Sequence, residues 1–193
     1  FLTKTIYRLQ DFICDKDFDM KTIWKFKDIE ISLDQMLKDL NLAIKPNLAN
    51  SFIHGDFCFS NIMYDFKSED IKTFDPRGID FDGNITPFGD ARYDYAKLFH
   101  SCIGLYDFII AEYYELDIID NRINFYIKAP SSISSIQDEF LNIFCKSNKK
   151  ELYAITIHLF LSMLPLHSDN KNRQMALFAN AFRLYRDFLN LRS

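Results

Sequence analysis

A chain of 193 residues, 48% apolar and 26% charged, is long enough for one domain with a sizeable core and has the composition of a globular protein rather than a disordered one. Its net charge of -4, with the basic residues scattered along the sequence, argues against a nucleic-acid partner, because gripping a phosphate backbone takes a concentrated basic surface. The four cysteines (Cys14, Cys58, Cys102, Cys145) form no Cys-x-x-Cys pair, which disfavours zinc and a disulfide framework and leaves reduced thiols in the cytoplasm as the expectation.

The chain opens on Phe1 with neither an initiator Met nor a signal-peptide pattern, so it is expected to begin inside a longer polypeptide. Leu2, Ile6, Leu9 and Ile13 recur at helical spacing and predict an amphipathic helix over residues 2–13. Ser32 and Gln35 form a capping box for a second helix over 32–41, with Leu33, Met36, Leu37 and Leu40 on its apolar face. Pro46 falls in the connection that follows, and residues 51–53 read as a short strand. Ile62-Met63-Tyr64 and Ile71-Lys72-Thr73-Phe74 read as the two strands of a hairpin around a polar turn at 65–70.

A helix is expected over residues 90–116, with Leu98, Cys102 and Leu105 on one side. Ile123, Phe125 and Ile127 alternate, which predicts a small hairpin within 117–127 turning near Asp120-Asn121. The remainder reads as helical. One helix runs from Ser131 or Ser132 to about residue 144. Another, over 151–164, is apolar nearly all round and so should be buried. The last, over 172–191, carries Phe178, Ala181, Phe182, Tyr185, Phe188 and Leu189 on one face. The longest apolar stretch, 154–166, contains His158 and Ser162 and is too short to span a bilayer, so no membrane partner is expected. The fold class is α+β, mostly α-helical, as one domain over 1–193, with the first fifty or so residues read as helices.

Chemistry-bearing residues concentrate in three segments. Phe52-Ile53-His54-Gly55-Asp56-Phe57-Cys58-Phe59-Ser60-Asn61 places an Asp five residues ahead of an Asn. Asp75-Pro76-Arg77-Gly78 follows after enough chain for a hairpin, and Gly89-Asp90-Ala91-Arg92-Tyr93-Asp94-Tyr95-Ala96 follows that. Four fixed residue types at about 5% usage make the first segment an accident about once in a thousand chains of this length. Together the segments resemble the aminoglycoside phosphotransferase and choline kinase family. Its signature is His-Gly-Asp, four residues, Asn, then a metal-binding Asp after a strand, then a Gly-Asp…Asp-Leu-Ala segment that opens a helix. The resemblance is firm over about residues 51–104 and general beyond them.

The resemblance implies the mostly helical C-terminal lobe of a protein-kinase-like phosphotransferase, with small β-hairpins carrying the catalytic loop. It makes Asp56 the base that positions the acceptor hydroxyl and His54 the residue that braces the loop beside it. Asn61 and Asp75 become magnesium ligands next to ATP. Gly55 lets the backbone turn tightly, Gly78 closes the metal turn, and Asp90 and Asp94 cap and brace the following helix. His167 and Asp169 lie between two late helices, where the family borders its acceptor pocket, and are weaker candidates for substrate contact. Arg77 departs from the residue types usual at its place; it could touch a phosphate or pair with an acid.

The plain alternative for Asp56 is a turn residue bonding its own backbone, and for Asp75 an Asp-Pro turn. A calcium loop at Asp80-Phe81-Asp82-Gly83-Asn84 fails, because Ala91 stands where an EF-hand needs its bidentate Glu. The five glycines make no glycine-rich loop, so the lobe that covers the nucleotide is expected to be absent, truncated or supplied by an upstream or fused domain. The expected function is ATP- and magnesium-dependent transfer of the γ-phosphate to a hydroxyl of a small metabolite: an amino alcohol such as choline, a sugar or an aminoglycoside. The alternatives are a kinase-like lobe kept as a non-catalytic binding module and, ranked last, a metal-dependent hydrolase.

Overall fold

Apolar residues three and four apart form the first helix, α1 (Leu2–Ile13), and bury Leu9 and Phe12 along one face. The computed structural model describes every residue except 15, 48, 81, 146–147 and 192–193. A hairpin follows where only helices were expected: β1 (Ile23–Phe26) and β2 (Ile29–Ser32), turning at Lys27 with φ +50°. Each strand spans four residues, too short for a period of two to stand out, and the Lys27-Asp28 turn carries no Gly or Asn-Gly. Helix α2 (Leu33–Ala43) is capped by Ser32, whose Oγ accepts from the Gln35 N–H at 3.2 Å. The Gln35 side chain turns instead to Asp39, 2.9 Å away, so half of the expected capping box forms.

The middle of the chain is built from short pairs. Strand β3 (Ser51–Phe52) runs to the first motif, and β4 (Ile62–Asp65) and β5 (Asp70–Thr73) form the expected hairpin with Ile62 opposite Thr73. Strand β6 (Phe88–Gly89) returns antiparallel to β3.

The long helix expected over 90–116 is two helices, α3 (Arg92–Cys102) and α4 (Tyr106–Ile110), followed by a strand. The break has a packing cause. A Cβ on Gly104 would sit 2.4 Å from the His100 carbonyl oxygen and 2.6 Å from the Phe160 ring, and Leu105 takes φ +55°. The freed carbonyls are bound by the last helix, with Asn180 Nδ2 donating to Gly104 O at 2.8 Å and Arg183 Nη2 to Ile103 O at 2.9 Å.

Strands β7 (Tyr114–Ile119) and β8 (Arg122–Ile127) form the second expected hairpin, turning at Asp120 and Asn121, both with positive φ. β8 pairs in parallel with β1, Lys25 beside Arg122 and Phe26 beside Ile123, which makes one four-stranded sheet in the order β2-β1-β8-β7. Helices α5 (Ile133–Phe144), α6 (Lys149–Met163) and α7 (Lys171–Asn190) complete the chain. α6 is buried on every side between Leu152 and Ser162 because α1, α2, α3 and α7 all pack on it. The α+β class stands, with 50% of the residues helical and 18% in strands, and among the described residues no helix is long and apolar enough to cross a membrane.

Two histidines lie within this core. Burial pushes His158 down to about 3, with its Nδ1 3.0 Å from Thr5 Oγ1. Burial, then the nearby Lys97, push His100 well below its ordinary value. Folded-state pKa values below the unfolded value of about 6.5 mean that the unfolded chain binds more protons under that pH, so stability is full above it and falls as the solution is acidified. Between pH 6.5 and 4.5 the chain should lose ~2 kcal/mol through His158, with His100 acting in the same direction, read from denaturant midpoints across pH. A His158→Gln variant should show a flatter pH slope over that window.

Candidate active site

The first motif leaves β3 at Ile53, whose N–H donates to Pro87 O at 2.9 Å, and enters a loop held from several sides. Asp94, in the first turn of α3, reaches back to accept from the N–H of His54 at 2.7 Å and of Gly55 at 2.8 Å. Its role is therefore to hold the loop more than to brace its own helix. Gly55 adopts φ +77°, and a Cβ there would meet the Arg77 Cβ at 2.9 Å, so both conformation and space require glycine. The His54 Nδ1 accepts from the Asp56 N–H at 3.3 Å, which puts the ring proton on Nε2, the donor to Phe74 O at 3.0 Å. Two backbone bonds join the same segments: Arg77 N–H to His54 O at 2.9 Å and Phe74 N–H to Asn61 O at 3.2 Å.

This lacing sets Asn61, at the end of a 3-10 turn (Phe59–Asn61), across from Phe74 and so beside the turn that begins at Asp75. Asn61 is buried, and its Nδ2 donates to the Asp56 carbonyl at 2.9 Å and to Asp56 Oδ2 at 3.3 Å. The amide oxygen is thereby the end left for a cation. Asp75 takes φ +57°, a left-handed conformation uncommon outside glycine. One amide oxygen and one carboxylate are hard donors that suit magnesium, which retains waters and takes phosphate oxygens for the rest of its shell. Among the described residues no group of three or more His, Cys, Asp or Glu is placed to hold a metal ion.

Asp56 has cationic neighbours: Arg77, which takes the acid-pairing option open to it, and Lys97, which the sequence did not mark. Lys97 Nζ, only 12% exposed, lies 2.7 Å from Asp56 Oδ1, and Arg77 Nη2 lies 3.8 Å from it. Lys97 stands three residues after Asp94, on the same face of α3, so the residue that holds the loop also points to its neighbour. Arg77 additionally donates to Tyr93 Oη at 2.8 Å with its guanidinium over the ring.

The other expected residues are placed less centrally. Asp90, one residue before the α3 N-cap Ala91, accepts from the Arg92 N–H at 3.0 Å and pairs with the Arg92 guanidinium at 2.5 Å. Gly78 takes φ +64° with open space where a Cβ would stand. Asp169 pairs with Arg173 at 2.5 Å, and His167 ends the 3-10 turn Leu164–His167. Asp80 accepts from the Asn84 backbone at 2.8 Å and its Nδ2 at 2.9 Å, a polar loop closed on itself; Phe81 lies outside the described residues.

A cavity of about 750 Å³ opens between α1, the motif loop, α3 and the end of α6. His54, Gly55, Arg77, Gly78 and Lys97 form one side of it. It reaches Leu166 but neither His167 nor Asp169, and Asp56, Asn61 and Asp75 stand outside its walls. Compared with protein-family models, with curated proteins and with solved structures, the chain matches none.

Proposed function

We propose that this chain is the catalytic lobe of an ATP- and magnesium-dependent phosphotransferase, similar to the aminoglycoside phosphotransferase and choline kinase family, that acts on a hydroxyl of a small metabolite. The observation that carries the reading is the lacing of two distant segments: the hydrogen bonds of His54, Asn61 and Arg77 hold Asp56 next to the turn of Asp75. Asp56 takes the proton of the acceptor hydroxyl as its oxygen bonds to the γ-phosphorus and the bond to the β–γ bridging oxygen breaks, releasing ADP. Lys97 and Arg77 hold the Asp56 carboxylate in place and supply positive charge beside the transferring group. Magnesium at Asn61 and Asp75 would offset the negative charge of the phosphates.

An upstream lobe or fused domain fits the apolar surface near the site, where Phe52, Phe66, Ile71 and Ile85 are 77%, 86%, 68% and 92% exposed. A cytoplasmic location belongs to the same reading, since Cys58, Cys102 and Cys145 are buried free thiols. Calorimetric titration with ADP or an ATP analogue tests the assignment. Magnesium should tighten binding, and Asp75→Asn should remove that gain, a loss of tenfold or more. Nucleotide binding indifferent to both magnesium and the substitution would overturn it.

A further inference from the structure

We infer that the cavity beside Asp56 receives an acceptor that itself carries a phosphate group, a phosphorylated polyol or sugar, in place of a cationic amino alcohol or aminoglycoside. The identity of this site as the acceptor's rests on the phosphotransferase reading; the binding of a phosphorylated compound does not. The chain as a whole is acidic, at -4, yet the walls of this cavity carry four lysines and arginines, Lys4, Arg8, Arg77 and Lys97, against the two carboxylates Asp80 and Asp90, with Asp56 just outside them and paired to Lys97. Both carboxylates are committed elsewhere, Asp80 to Asn84 and Asp90 to Arg92. The four bases come from separate elements: α1 supplies Lys4 and Arg8, the metal turn Arg77, and α3 Lys97.

Arg8, Arg77 and Lys97 are held in place. Arg8 Nη1 donates to Ser162 O at 2.9 Å, and Arg77 is fixed by Tyr93 at 2.8 Å. Burial pushes Lys4 down to about 8, and the charges of Arg8, Arg77 and Lys97 push in the same direction while Asp56 opposes them. Like charges gathered in a partly enclosed space attract an anion and repel a cation, and a guanidinium fork matches phosphate oxygens in shape. Leu159, Met163 and Phe88 add an apolar wall for a carbon skeleton, and about 750 Å³ is a small-molecule volume.

The cavity is set apart from the residues suited to a metal-bound phosphate chain: Asn61 and Asp75 stand outside its walls, as does Asp56, whereas His54, Gly55 and Lys97 face it. Lys97 links the cavity to the base, lining the one and lying 2.7 Å from Oδ1 of the other, Asp56.

The test is calorimetry on the whole chain without nucleotide, using glycerol 3-phosphate, inorganic phosphate and choline as probes. Glycerol 3-phosphate should bind more tightly than inorganic phosphate, and choline should give no heat. Arg8→Gln and Lys4→Gln should each weaken the phosphate probes tenfold or more, whereas Asp75→Asn should leave them unchanged. Lys4→Gln makes no change at Arg8's bond to α6, so it serves if Arg8→Gln unfolds, with thermal unfolding as the check. Choline binding at least as tightly as glycerol 3-phosphate, no binding by either phosphate probe, or a loss confined to Asp75→Asn would each overturn the inference. Phosphate binding that survives while the magnesium–nucleotide titration fails would keep the cavity and remove the phosphotransferase.

Discussion

An Asp56→Asn variant is expected to lose about 10²–10⁴ in phosphoryl-transfer rate, the contribution of a positioned general base, while retaining magnesium-dependent nucleotide binding. That loss corresponds to roughly 3–5 kcal/mol of transition-state stabilisation. The amide is nearly isosteric, so the contact with Asn61 can persist, but it cannot take a proton from the acceptor and leaves Lys97 without the carboxylate it faces at 2.7 Å. A Lys97→Met variant separates the two consequences. It removes the cation and keeps the base, so its loss should be smaller and should fall on charge stabilisation. Turnover unchanged in Asp56→Asn, measured at saturating ATP and magnesium, would end the assignment of Asp56.

Asp94→Ala should be the most damaging substitution away from the reacting groups. It removes the acceptor for two N–H groups, those of His54 at 2.7 Å and Gly55 at 2.8 Å, both half-buried. Hydrogen bonds to a charged group contribute ~1.5–3 kcal/mol each, so a combined loss of about 3 kcal/mol is expected in denaturant unfolding. The local readout is more telling than the global one. Amide hydrogen exchange at His54 and Gly55 should accelerate before any change at the buried residues of α6. Asp94→Asn, which keeps one acceptor oxygen, should fall between. Native exchange at both amides in Asp94→Ala would show that the loop is held by its other bonds alone.

Much of the framework was legible because its cause is local. The spacing of Leu2, Ile6, Leu9 and Ile13 set α1, the apolar surround of residues 152–162 marked the buried helix α6, and Asp120-Asn121 marked the second hairpin. The loop that carries Asp56 and Asn61 was legible as a motif, and its hairpin to Asp75 as two short strand-like runs about a polar turn. What sequence alone did not yield depends on partners distant in the chain. Residue 104 must be glycine because Phe160 occupies the space beside it, and the β1–β2 hairpin is extended into a four-stranded sheet only through β8. Lys97 gains its meaning only when α3 is packed against the motif loop. The four bases of the cavity looked scattered in sequence because α1, the metal turn and α3 bring them together only in space.

The parallel clasp between β1 and β8 has a bearing on how the chain is made. Lys25 and Phe26 must wait for Arg122 and Ile123, and Trp24 packs edge-on against Phe178, 4.9 Å away between ring centres. On the ribosome, at about 5–20 residues per second, the N-terminal hairpin would therefore stand with its aromatic side uncovered for roughly 7–30 s until α7 emerges. Local pieces such as β4–β5 can form early, but contacts this far apart in sequence are slow to close. The loop bearing Asp56 is enclosed between the two halves of the clasp. It can settle beside α3 early, yet it acquires the full wall of its cavity only after α6 has been synthesised and α1 has docked on it.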